Sequence, residues 1–110
     1  MMTLVETPLF QKRIDDVMSG DDLQEFKDFI ARHPEKGDII RGTGGLRKVR
    51  WGVRGSGKSG GARIIYYYHN ATMPVFLITA FQKSKKDSLT DAERQKLRGL
   101  GKRLIEAYGE

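Results

Sequence analysis

The second half of the chain holds three β-type runs whose connections are too short for a crossover, and this limits the possible folds more than any other feature. Leu46 to Val53 alternates strictly, with Val49, Trp51 and Val53 on one side and Lys48 and Arg50 on the other. ARIIYYYH (62–69) and VFLITAF (75–81) are rich in Ile, Val and aromatic residues, and NATMP (70–74) between them has the composition of a turn. Parallel neighbours need a connection of about a dozen residues or more, so these strands are expected to form an antiparallel meander.

The first half reads as helix. Leu4 and Val5 suit a short first strand. Thr7-Pro8 resembles an N-cap followed by Pro at the first helical position, and Leu9, Phe10, Ile14 and Val17 keep helical spacing up to Gly20, which is expected to end that helix. Asp21 and Asp22 place negative charge at the start of a second helix. Its apolar stripe is Leu23, Phe26, Phe29 and Ile30, and it must stop near His33-Pro34. Thr90-Asp91-Ala92-Glu93 has the capping-box spacing, ahead of Leu97, Leu100, Leu104 and Ile105, which predicts a C-terminal helix. The expected class is α+β in the order β-α-α-β-β-β-α, as a single domain over residues 1–110. That length buries a core without disulfides or metals. There is no cysteine, the N-terminus MMTLVETPLF lacks the features of a signal peptide, and no apolar run reaches bilayer length. A soluble, cytoplasmic protein with no membrane association is expected.

Charge is segregated. The net charge is +6, yet between Asp38 and Asp87 there is no acidic residue and there are ten Lys and Arg, which leaves the rest of the chain at −4. A segregated basic block is the footprint of a polyanionic partner, nucleic acid above all.

Inside that block GVRGSGKS (52–59) matches the nucleotide-binding pattern G-x-x-x-x-G-K-[ST]. A working loop of this kind leads from a strand into a helix whose N-terminus faces the phosphates. Here Gly60-Gly61 and then ARIIYYY follow, a strand-forming run, and no acidic residue lies nearby to help hold Mg²⁺. The match is read as the flexible tip of a β-hairpin, and neither a nucleotide nor any other cofactor is expected.

One register pairs His69 with Val75 and sets Arg63 opposite Phe81; a second pairs Val53 with Ala62. Lys48, Arg50 and Arg63 then share a face, with Lys83 just past the last strand and Phe81 as an aromatic platform. Cations for phosphates and a ring for a base suit single-stranded RNA. RNA also carries its own nucleophile, the 2′-OH, so cleavage needs only charge stabilisation, a base and an acid. Arg63 acts electrostatically because it keeps its proton. Crowding by other cations lowers a lysine's pKa, which makes Lys48 or Lys83 a candidate base. His33 reads as a helix-end residue, His69 lies at the far end of its strand, and Tyr66, Tyr67 and Tyr68 read as sheet packing, with Tyr67 on the proposed face.

GTGGLRKVRW, SGGARIIYYY and LITAFQKSKKDSLTDAE, in that order, resemble the RelE/HigB-type toxins of bacterial toxin–antitoxin modules, nearest the HigB-like branch, over nearly the whole chain. The resemblance implies a compact α+β endoribonuclease that enters the ribosomal A site, cuts mRNA during translation and is silenced by a cognate antitoxin. Given the 2′-OH chemistry, that cleavage is expected to be metal-independent. The antitoxin is expected to be a helix-turn-helix protein, through which alone operator DNA would be contacted. By position Arg63, Lys48, Arg50 and Lys83 correspond to the family's catalytic cations, and Phe81, Tyr67, Arg47 and Lys85 are expected to bind substrate. Where some members place a catalytic aromatic, this chain has Asp87-Ser88-Leu89. The alternative from the residues alone is a non-catalytic RNA- or DNA-binding module.

Overall fold

The computed structural model describes residues 1–53 and 61–108. Its elements are β1 (Leu4–Glu6), α1 (Pro8–Ile14), α2 (Gly20–Arg32), β2 (Asp38–Ile39), β3 (Leu46–Trp51), β4 (Ala62–Tyr67), β5 (Val75–Gln82), α3 (Asp91–Leu97) and α4 (Leu100–Tyr108). The strands form one mixed sheet in the order β1-β5-β4-β3-β2. The antiparallel meander β3-β4-β5 is its centre, as the short connections require. The edges depart from expectation: β1 pairs with β5 in parallel, and the two-residue β2 adds an antiparallel edge beside β3. Nothing in the local pattern marks Asp38 and Ile39 as a strand; they pair because the chain returns beside Arg47 and Lys48.

Both faces of the sheet are covered. Phe10, Ile14, Phe26 and Ile30 from α1 and α2 pack on Val49, Ile64, Tyr66 and Leu77. On the other face Leu97, Leu100, Leu104 and Ile105 from α3 and α4 pack on Leu46, Ile65, Tyr67, Phe76 and Ile78. The central strand β4 is therefore buried at every position.

Register sets which side chains share a face. Arg63 lies opposite Phe81 as expected, but the pairing of β4 with β5 shifts between Ile65 and Tyr66, leaving Ile78 as a bulge. The Thr7 hydroxyl donates to the carbonyls of Leu77 and Ile78 and accepts from the Phe10 amide, so one side chain caps α1 and satisfies the bulged strand. His69 and Val75 consequently do not pair. In the other hairpin Ala62 faces Trp51 instead of Val53, and Arg50 faces Arg63. This slip of two residues preserves the faces, because side-chain direction has a period of two.

Helix ends also differ. Gly20 begins α2 instead of ending α1: Ser19 accepts from the Asp22 amide and caps α2, while α1 stops at Ile14. The expected C-terminal helix is two helices, broken where Gly99 takes a left-handed φ of 87°. The capping box at Thr90 and Glu93 is present. The expected hairpin tip around 54–60 lies outside the described residues; its flanks, β3 and β4, are adjacent antiparallel strands, so the GVRGSGKS match leads from strand to strand. Among the described residues no helix is long and apolar enough to cross a membrane.

Candidate active site

α3 and α4 pack on the face that carries Leu46, Ile65 and Tyr67, and β2 pairs with only the Arg47–Lys48 part of the β3 edge. The other end of β3 is left open, and a cleft of about 530 Å³ lies along it. Lys48 and Arg50 enter from β3, Arg63 from β4 and Lys83 from the residue after β5. The loop before β2 adds Lys36, and β2 itself adds Asp38. All four residues predicted to be catalytic thus line one cleft. Arg50 directly opposite Arg63 is a like-charge pair that costs stability in an empty sheet and gains when an anion sits between them.

Arg63 is the most deeply set of these cations. Its side chain is 6% exposed, and a buried guanidinium is tolerated only when paired. Its Nε lies 3.3 Å from Oδ1 of Asp87, and its Nη1 donates to the Ala62 carbonyl at 3.2 Å. Asp87 comes from the segment after β5, which crosses the cationic face as a strap. The amides of Lys85 and Lys86 turn back onto the Gln82 carbonyl, and Leu89 is buried in the core beneath α3 and α4. Lys86 stands 4.8 Å above the Phe81 ring and bridges to Glu93 at 2.6 Å. Burial acts to raise the Glu93 carboxyl pKa, but the hydrogen bonds from Lys86 and Thr90 outweigh it and hold that carboxyl below its ordinary value. Lys48 Nζ completes the strap by donating to the Asp87 carbonyl at 3.0 Å.

The residues expected to bind substrate are placed elsewhere. Phe81 is 8% exposed and belongs to the core, roofed by Lys86. Tyr67 is 5% exposed beneath α4, where a Cβ on Gly101 would stand 2.7 Å from its ring, and burial pushes its phenol pKa up. Arg47 points to the other face and donates to the carbonyls of Glu35 and Gly37. Lys85 is exposed on the strap, outside the cleft. The aromatic rings that do line the cleft are Trp51 and Phe29, stacked at a tilt with centroids 5.2 Å apart. The sequence pattern assigns both to the core; the open strand edge lets the cleft reach around β3 to them. His33 caps the end of α2 against Phe29, and His69 is exposed beside Tyr67, so neither lines the cleft.

The cleft therefore carries five cations against the carboxylates of Asp38 and Asp87, beside two rings. Such a surface has the chemistry to hold a phosphodiester and to stack a base. Among the described residues no group of three or more His, Asp or Glu is placed to hold a metal ion. A family model described as the RelE toxin of the RelE/RelB toxin–antitoxin system matches residues 30–110, from the end of α2 through both C-terminal helices and so across every cation of the cleft. The chain belongs to the RelE toxin family of toxin–antitoxin systems, a membership that implies a cognate antitoxin as its partner.

Proposed function

We propose that this toxin is a ribosome-dependent mRNA endoribonuclease that uses the substrate's 2′-OH as nucleophile and requires no metal ion. The supporting observation is the convergence of Lys48, Arg50, Arg63 and Lys83 on one cleft that also offers Trp51 and Phe29. In this reading Arg63 stabilises the charge that develops on the non-bridging phosphate oxygens, from a side chain held in place by Asp87 and the Ala62 carbonyl. Lys48, Arg50 and Lys83 hold the backbone and donate to the leaving oxygen, and Trp51 stacks a base. Residues 1–110 act as one domain in the cytoplasm. A helix-turn-helix antitoxin silences it and provides the only link to operator DNA. The Gly-rich sequence between β3 and β4 favours the HigB-like branch.

Mapping of mRNA 5′ ends after induction of wild type and Arg63→Ala tests this. The expected result is new ends within translated regions for the wild type, bearing 5′-OH opposite 2′,3′-cyclic phosphate, and none for Arg63→Ala. Growth arrest without any new ends would favour the non-catalytic binding module.

A further inference from the structure

Cleavage through the 2′-OH requires a group to take its proton, and the cleft contains few that can. Lys36, Lys48, Arg50, Arg63 and Lys83 are donors in their charged forms, and an ammonium must first lose a proton before it accepts one. A carboxylate is instead an acceptor in its charged form, and the cleft's two come from the acidic residues that bracket the long acid-free stretch, Asp38 and Asp87. Asp87 is the one set against the arginine among the described residues. Asp38 pairs across the sheet with Lys48, whereas Asp87 Oδ1 lies 3.3 Å from Arg63 Nε.

We infer that Asp87 is the general base of the cleavage step, an inference that rests on the endoribonuclease reading. When Arg63 holds a non-bridging oxygen of the scissile phosphate, the adjacent 2′-oxygen lies beside that same guanidinium, which is where Asp87 sits. The strap presents it there by design of its anchors: Leu89 buried on one side, Lys86 over Phe81 on the other, and Lys48 on the Asp87 carbonyl. The carboxylate itself is 68% exposed, so substrate reaches it and the captured proton returns to water. The step balances as a transesterification. The 2′-O–H bond breaks and its proton passes to Asp87, while the oxygen's electron pair forms the new bond to phosphorus. The P–O5′ bond breaks, and the leaving oxygen takes a proton from the ammonium of Lys48 or Lys83. The products are a 2′,3′-cyclic phosphate and a 5′-hydroxyl, and exchange with water restores both side chains.

Single-turnover cleavage of mRNA on programmed bacterial ribosomes separates this role from that of a mere tie for Arg63. Asp87→Asn keeps an oxygen that accepts from Arg63 Nε but removes the base, so its rate should fall by about 100-fold or more. Its ribosome affinity should stay within about threefold of wild type. Asp87→Ala opens a gap at an exposed position, and added formate should restore much of its rate, while leaving Arg63→Ala inactive. Wild-type cleavage by Asp87→Asn, or an Asp87→Ala variant that formate does not rescue, overturns the assignment while the endoribonuclease reading stands. Wild-type protein that fails to cut at all overturns that reading, and this inference with it.

Discussion

Deleting one oxygen atom, in Tyr66→Phe, tests how the cleft's outer wall is held. Tyr66 is 0% exposed, and its hydroxyl donates to the Pro34 carbonyl and accepts from the Gly37 amide, both at 2.8 Å. Burial pushes the phenol pKa up, so the group is a neutral donor and acceptor throughout the working range. Without the hydroxyl the buried Gly37 N–H loses its acceptor, which costs about 1–3 kcal/mol. The Pro34 carbonyl is half-buried and turns to water more cheaply, so the total expected is about 2 kcal/mol. For a domain of this size that lowers Tm by about 10 °C. Residues 34–38 carry Lys36 and Asp38 into the cleft, but the four inner cations come from other elements. Cleavage well below Tm should therefore stay within about threefold of wild type. Thermal melts followed by circular dichroism, beside cleavage assays at a temperature where both proteins are folded, measure the two effects. A melt unchanged by Tyr66→Phe would refute the claim that this hydroxyl anchors the loop.

Arg47 and Arg50 lie three residues apart on β3 but face opposite ways, so their Ala variants should separate: Arg47→Ala lowers Tm by releasing the Glu35 and Gly37 carbonyls, whereas Arg50→Ala raises Tm slightly by relieving the like-charge pair with Arg63 and weakens ribosome binding with a reduced salt dependence. Glu93 is held below its ordinary pKa, so the stability it contributes is complete above the unfolded value of about 4.3 and is lost as pH falls through the lower folded value. Glu93→Gln should flatten that acid limb in melts recorded between neutral and acid pH. Lys58→Ala should leave cleavage largely intact and ATP should not bind tightly, since the GVRGSGKS match leads into β4 and not into a helix; equilibrium dialysis with labelled ATP checks this.

What the sequence makes legible follows from which signals are local. The alternation over Leu46 to Trp51 assigns Lys48 and Arg50 to one face and Val49 and Trp51 to the other, and an even slip in register leaves that assignment intact. The bulge at Ile78 has no local signal, because it is stabilised by Thr7 from the far end of the chain. β2 and the parallel edge β1 are likewise products of tertiary packing. The break between α3 and α4 was marked by Gly99, within an apolar spacing that otherwise reads as continuous. Phe81 and Tyr67 share a face with the cations, but facing the same way does not mean being exposed: α3, α4 and the strap cover them. Asp87 and Trp51 reach the cleft by routes that strand parity does not describe, one on a strap over the sheet and one around an open edge. Asp87 did leave a trace, as the carboxylate that ends the acid-free basic block.

Arg63 carries the central chemistry of the proposed cleavage. Single-turnover cleavage on programmed ribosomes, with wild type, Arg63→Ala and Arg63→Lys checked for folding by thermal melt, measures its contribution to the step itself. A contact made mainly in the transition state is worth about 3 kcal/mol, so Arg63→Ala should cut roughly two to three decades more slowly while ribosome and antitoxin binding change far less. Arg63→Lys should recover only part of the rate, because a point charge lacks the planar fork. Cleavage by folded Arg63→Ala at the wild-type rate would contradict the account and place the chemistry outside this cleft.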